Sequence, residues 1–416
     1  MTKTLPAGEY HEGTREHVLF SLYFLLFFGG LGFIEPFISL HFHDIGMSGI
    51  QIGTIATISG LLGLLVAPIL GRLYDLSQRK RLFFQGAILL SAIFMYLVGW
   101  ARQYLLVMAV FSLFRLFSAS NIPTAENLAF QSANRNGNRK AGFGTMRLWG
   151  SLGFAIAALV GGWLIEHYDT RINFTFYLVV NLIAAGLVFV MPGRLFQQGA
   201  EKITVPSIPV SRVVGMLLSD KYLWLMAIAM AITNPLGSGI RNFEPIFMKE
   251  LNISEGMIGV AATLMAVGEV PIMFWADRLI KRLGITWLLL FVFAFDLVRR
   301  LIVWFFPLGW LVFILHIAIC VSFGLRIVIT VSMVNKRVPG QYTTTTLALI
   351  TMTLFGIASM ISNAISGLVY DTLGGRELYL VSAVGCFLAL LLASIAGWIE
   401  KRSPKIGGLP EDPLPS

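Results

Sequence analysis

The sequence predicts an all-α membrane protein of twelve transmembrane helices in two pseudo-symmetric six-helix bundles. Three observations carry that prediction. The 416-residue chain is 56% hydrophobic and 13% charged, with mean hydropathy +0.77. Apolar runs of about 20 residues, the length that crosses a bilayer core, recur along it. Basic residues stand in short clusters between alternate runs. A soluble domain carries roughly 25% charged residues, so the missing polar surface implies a surface facing lipid.

The expected spans are 18–40, 50–73, 82–100, 104–130, 143–165, 173–192, 222–247, 256–277, 285–305, 309–333, 345–370 and 378–399. Arg79, Lys80 and Arg81 follow the second. Arg135, Arg139 and Lys140 follow the fourth, and Arg194, Lys202, Arg212 and Lys221 follow the sixth. The second half repeats the pattern with Lys281 and Arg282, Lys336 and Arg337, then Lys401, Arg402 and Lys405. By the positive-inside rule these connections face the cytoplasm. Both termini then lie inside, as an even number of spans requires. The formal charge of +9 is spread over these clusters and forms no basic face with interleaved aromatics, so nucleic acid is not the expected partner.

The organisation expected is a cytoplasmic tail over 1–17, a first bundle over 18–192, a linker over 193–221, a second bundle over 222–399 and a tail over 400–416. Met1 to His17 lack the features of a secretory signal, and the first apolar run is long enough to remain a helix. The linker is the longest polar connection and contains Gly199, Pro206 and Pro209. Cys320 and Cys386 stand in apolar runs and read as core residues.

The halves resemble each other. Ile45-Gly46-Met47-Ser48 with Gly53 is echoed by Leu251-Asn252-Ile253-Ser254 with Gly259. Gly71-Arg72-Leu73-Tyr74-Asp75 before Arg79-Lys80-Arg81 is echoed by Ala276-Asp277-Arg278 before Lys281-Arg282, and Tyr168-Asp169 by Tyr370-Asp371. A six-helix unit repeated in parallel is a transporter architecture, with its substrate site between the halves near the midplane.

Ionisable groups inside spans are costly, about 2.5–3.5 kcal/mol each on insertion scales, and mark functional sites. Here they are Glu35, Arg115, Glu126, Arg147, Arg241, Glu244, Glu269, Asp296, Arg299, Arg300, His316 and Arg326. Helical spacing puts Arg115 and Glu126 on one face, and Arg147, Ser151 and Phe154 on another. An arginine fork beside an aromatic plate suits a planar or ring-shaped polar ligand. Asp296 and Arg299, and Arg241 and Glu244, are spaced to neutralise each other locally. Gly71, Asp75 and Arg79 read as a conformational latch.

These residues resemble the major facilitator superfamily. Gly71-x-x-x-Asp75 with Arg79-Lys80-Arg81 is similar to that family's signature loop between its second and third helices. His43-Asp44-Ile45, Pro123-x-x-Glu126 and Gly144-x-x-Arg147-x-x-Gly150 look like the oligosaccharide:proton symporters of the lactose permease type. Arg147-Leu148-Trp149-Gly150-Ser151 resembles the related phenylpropionate permeases. The resemblance implies that Glu126 and Arg147 pair to bind substrate. It also implies that Gly268-Glu269, Arg299 and Leu315-His316 stand where that family couples substrate to protons. Phe154 replaces that group's stacking tryptophan, and Ile319 stands where its tenth helix carries a carboxylate. Ile240, Phe313 and Phe355 stand where buried charge pairs would be, and Glu35 replaces an aromatic.

The expected function is proton-coupled symport of a small polar organic solute (a sugar, nucleoside or aromatic acid) by alternating access. Glu126, Arg147, Phe154 and Ser151 would bind the solute. Glu35 and Glu269 would carry protons, tuned by His316 and Arg299. A drug:proton antiporter is the alternative, disfavoured because the fifth span lacks a proline. An intramembrane enzyme or sensor is a remote one, because no zinc, nucleophile or phosphate-binding motif occurs. No cofactor beyond a proton gradient is expected. The expected location is the plasma or inner membrane, with solute, protons and lipid as partners and a monomer as the working unit.

Overall fold

The computed structural model describes residues 7–135, 142–197 and 210–402. Arg139, Lys140, the linker core with Gly199, Lys202, Pro206 and Pro209, and Lys405 lie outside the described residues. All described elements are helices. The first half contains α1 (Ala7–Ile34), α2 (Ile38–Asp44), α3 (Gly49–Leu76), α4 (Lys80–Val98), α5 (Tyr104–Ser118), α6 (Asn121–Arg135), α7 (Phe143–His167), α8 (Arg171–Val190) and α9 (Arg194–Gln197). The second contains α10 (Val210–Ser219), α11 (Lys221–Glu250), α12 (Glu255–Leu283), α13 (Ile285–Phe305), α14 (Gly309–Ile317), α15 (Ile319–Arg337), α16 (Gly340–Ala348), a π-helical turn (Leu349–Leu354), α17 (Phe355–Leu373) and α18 (Gly375–Arg402).

Among the described residues ten helices are long and apolar enough to cross a membrane, or eleven if α10 and the start of α11, bent by 98°, form one span. Each of the twelve expected spans is helical. The expected ninth, α13, is interrupted chemically by Asp296, Arg299 and Arg300, all buried. Its charges are turned inward, as intramembrane charges must be.

Proline accounts for two of the breaks, both in the first half. Pro36 lacks a backbone donor and separates α1 from α2; Pro123, in the first turn of α6, does the same after α5. The repeat has an equally local cause. Gly46 and Asn252 both take positive φ, 88° and 61°, just past the ends of α2 and α11. The next amides, of Met47 and Ile253, donate back to Phe42 and Met248 at 3.0 Å in each case. This left-handed helix end suits Gly or Asn. Ser48 and Ser254 then cap α3 and α12 through the amides of Gln51 and Met257.

One apolar core lies within the first half around Phe20, Tyr23, Phe84 and Met146. A second lies within the other half around Met226, Leu289, Phe293 and Met333. A third joins them, with Ile34, Phe37 and Phe42 from one side and Phe243, Ile246 and Leu378 from the other. Across the junction α3 packs on α17 and α7 on α12. Glycines set the closeness of both crossings: a Cβ at Gly53 would overlap the Asn363 carbonyl, and one at Gly259 the Ala158 carbonyl.

Polar bonds reinforce this closed end. Asp371 accepts from the amides of Gly49 and Ile50 at 2.5 and 2.8 Å, so a carboxylate from α17 caps the positive start of α3. Lys249 bridges Asp44 at 3.1 Å and Glu255 at 3.0 Å. Thr57 donates to the Met360 carbonyl and Thr263 to that of Ala155. At the other end of α3, Gly71 has open space around it and Asp75 and Arg79 are exposed. Among the described residues the Asp75 carboxylate forms no contact ion pair.

A bulky side chain should wedge the glycine crossings apart. Gly259→Leu should raise the alkylation rate of a thiol introduced as Thr57→Cys by about tenfold, because overpacking by several methylenes costs 1–3 kcal/mol. An unchanged rate would show that this crossing does not control closure.

Candidate functional site

Pro36 breaks the first span beside Glu35, so this glutamate is exposed at a helix break and not sealed within a continuous helix. Among the described residues its carboxylate has no side-chain hydrogen bond or contact ion pair. It lies in electrostatic range of Arg115 and Arg241. Arg115 ends α5, and its buried Nε has no hydrogen-bond acceptor. Arg115 and Glu126 do not share one continuous helix, because the chain breaks between α5 and α6. Each serves a different partner.

Glu126 on α6 accepts from Arg147 Nε on α7 at 3.2 Å. The pair is partly open, with side-chain exposures of 38% and 34%. The ring beneath Arg147 is Phe28, 3.8 Å from the guanidinium carbon. Gly150 makes room for it, since a Cβ there would lie 2.8 Å from that ring. Phe154, expected as the plate, packs against the first half's own core, and Ser151 is half-buried on the next turn of α7.

The second half builds its polar site around Glu244. Oε2 meets His316 Nδ1 at 2.9 Å, and Oε1 accepts from Tyr379 at 2.7 Å. Arg299 lies 3.9 Å from the same carboxylate. Glu244 and Arg241 therefore do more than neutralise each other: Glu244 turns into this buried hub, whereas Arg241 stays exposed, over Phe323. The missing tenth-helix acid is replaced in space. Ile319 is buried at the start of α15, and the carboxylate that faces His316 comes from α11.

Asp296 is placed 3.8 Å from Arg299 on its own helix and 3.7 Å from Arg326 on α15. Glu269, on α12, is half-buried with no side-chain hydrogen bond or contact ion pair among the described residues. Its electrostatic partner is Arg241. Arg241 thus stands in the field of Glu35 from the first half and of Glu269 and Glu244 from the second.

The expected residues fall into four groups. Glu126 and Arg147 meet, with Ser151 and Phe154 on the same helix as the arginine. His316 and Arg299 meet through Glu244, and Glu35 and Glu269 share Arg241. Gly71, Asp75 and Arg79 lie apart, at the far end of α3. Sequence reasoning passed over Phe28, Tyr379 and the hub role of Glu244. Glu244 was visible as an intramembrane charge. Phe28 carried no signal among 32 phenylalanines.

Comparisons with known proteins agree with this architecture. Residues 17–381 match the family described as the MFS_1 like family. The maltose permease of Geobacillus stearothermophilus is 26% identical over 392 residues, covering 93% of this chain and 97% of its own. The multidrug resistance protein MdtG of Citrobacter koseri is 28% identical over 254 residues, covering 56% and 60%. Among solved structures, the nucleoside transporter NupG superposes with a TM-score of 0.78 at 14% identity, covering 92% of this chain and 98% of that one.

Exposure separates two kinds of acid. Glu126→Gln and Arg147→Lys should weaken solute binding about tenfold or more and leave the melting temperature almost unchanged, since the pair is half open. Glu244→Gln should instead cost about 3 kcal/mol of stability, as removal of one partner from a buried pair does. Paired thermal melts and binding isotherms check both. A stable Glu244→Gln, or a Glu126→Gln that binds normally, would contradict the assignment.

Proposed function

Since the chain belongs to the MFS_1 like family, we propose that this secondary transporter is a proton-coupled symporter of a small polar organic solute. The solute classes that fit are a sugar, a nucleoside or an aromatic acid. The observation that carries proton coupling is the pairing deficit at Glu35 and Glu269. Two carboxylates, one from each half, stand in an apolar protein without a contact cation and share the field of Arg241. An unpaired carboxylate is costly there, and protonation removes that cost. A transporter that must pass through an occluded state therefore has reason to load protons at these positions.

Glu126 and Arg147 bind the solute over Phe28, with Ser151 and Phe154 on the same helix. His316 and Arg299 act through Glu244 on the second half's side. Closure of the glycine crossings seals one end, and the latch residues Gly71, Asp75 and Arg79 belong to the opposite one. The basic clusters support a cytoplasmic position, at the plasma or inner membrane, for that opposite end, both termini and the linker over 193–221. The working unit is a monomer with an 18–192 bundle and a 222–399 bundle. The maltose permease relative supports uptake of a sugar-sized solute. The multidrug relative keeps efflux by antiport as the second reading. Against it, α7 contains no proline.

In proteoliposomes an imposed inward pH gradient should drive accumulation of a solute identified by thermal-shift screening. Glu35→Gln and Glu269→Gln should each abolish gradient-driven accumulation while retaining solute exchange. Full coupled transport in both variants would overturn the assignment of the carriers, and expulsion of preloaded solute as protons enter would favour the antiporter.

A further inference from the structure

We propose that the start of α13 and the end of α18 form a docking face for an anionic phospholipid, whose headgroup phosphate rests on Lys401 and Arg402.

The face is built where two helices of the second half meet, at the end of the protein that carries the basic clusters. α13 and α18 pack on each other, so closely that a Cβ at Gly397 would lie 2.7 Å from the Thr286 methyl group. Their exposed sides carry Trp287 and Phe291 on α13 and Leu391, Ile395 and Trp398 on α18. Residues three or four apart share one side of a helix, so each set is an apolar stripe. Each stripe ends in a tryptophan, the residue type that marks the level of lipid headgroups. A cation stands over each of these rings. The Arg402 guanidinium carbon is 3.7 Å from the centre of the Trp398 ring, and Lys401 Nζ is 5.8 Å from that of Trp287. The ring faces attract these charges and fix them at the end of the stripes.

The charge at this face is not balanced from within. Among the described residues Lys401 and Arg402 form no contact ion pair. The acid next to them, Glu400, is already engaged: one oxygen accepts from Arg337 at 2.6 Å and the other from the Thr286 hydroxyl at 2.9 Å. Lys281 and Arg282, exposed in the last turn of α12, add the same sign just before α13.

The first half treats the matching place differently. Glu400, Lys401 and Arg402 follow Arg194, Leu195 and Phe196 at the offset that relates Ser254 to Ser48. Arg194 is paired with the buried Glu16 at 2.8 Å. Leu195 and Phe196 are buried in the first half's core, and Phe196 lies beneath Arg81, which donates to the Met191 carbonyl. The first half therefore seals this corner with its own apolar residues. The second half places two cations there and leaves them open beside lipid-facing tryptophans.

That chemistry selects the occupant. A phosphate answers the two cations, and acyl chains answer the stripes below them. A soluble anion supplies only the first, and a zwitterionic lipid brings a phosphate whose charge its own headgroup cancels.

The test is titration of purified full-length protein in detergent with dioleoylphosphatidylglycerol, dioleoylphosphatidylcholine or glycerol 3-phosphate, read by native mass spectrometry. Phosphatidylglycerol should bind about tenfold or more tighter than phosphatidylcholine, since each basic residue near a headgroup contributes about fivefold. Glycerol 3-phosphate should not bind at the same concentrations. Lys401→Gln and Arg402→Gln should each weaken phosphatidylglycerol about fivefold, the pair together should abolish the preference, and Arg402→Lys should keep most of it. Arg72→Gln, at an exposed position at the same end of the first half, should leave it unchanged. All these side chains are exposed, and thermal melts without lipid confirm that each variant folds. Equal binding of the two lipids, the result if residues 403–416 with Glu411 and Asp412 occupy the face instead, overturns the proposal. So does a preference that survives in the double variant, one lost equally in Arg72→Gln, or glycerol 3-phosphate binding as tightly as the lipid.

Discussion

The cost of holding a charge away from water is the constraint on which this structure depends. A lone charge in the apolar interior is unfavourable by several kcal/mol, and this chain keeps at least a dozen ionisable groups within its expected spans. Each must find a partner, meet water or give up its charge. Glu244 takes the first course, bound by His316 and Tyr379. Glu126 and Arg147 combine the first and second, paired but half open. Glu35 and Glu269 have neither a contact cation nor a hydrogen bond among the described residues; they stand open, Glu35 exposed and Glu269 half-buried, and must lose their charge if closure removes that exposure. This division separates structural from working charges better than residue type does.

The helix breaks serve the same constraint. Pro36 exposes Glu35, and Pro123 separates the helix of Arg115 from that of Glu126. A continuous α5–α6 would have aligned that arginine and that glutamate. The break frees Glu126 for Arg147 across to α7, while Arg115 stays in the field of Glu35. Closure uses backbone chemistry instead: glycine crossings, a left-handed turn at Gly46 and Asn252, and the Asp371 cap on α3. The repeat explains why this machinery occurs twice.

The fold was legible because hydropathy and charge clustering survive any detail of packing. The repeat was legible because turns and caps demand particular residues, and Ser48 and Ser254 both proved to be caps. The Glu126–Arg147 pair was legible through the family resemblance. Contacts between distant helices were not. Glu244 and His316 are 72 residues apart, and no periodicity links α11 to α14. The missing acid at Ile319 looked like a loss of chemistry, because a sequence shows which position lacks a carboxylate but not which helix supplies another. Phe28 was invisible for a different reason: stacking under Arg147 depends on Gly150 in a neighbouring helix.

In the proposed cycle, protonation of carboxylates otherwise lacking partners drives the solute. The most direct measurement is the equilibrium accumulation ratio of the solute in proteoliposomes, with the membrane potential clamped at zero and the pH difference varied. Symport predicts a ratio that rises about tenfold per pH unit for each proton carried, the free energy of one proton across that difference. A ratio that stays at unity at every pH difference would contradict it.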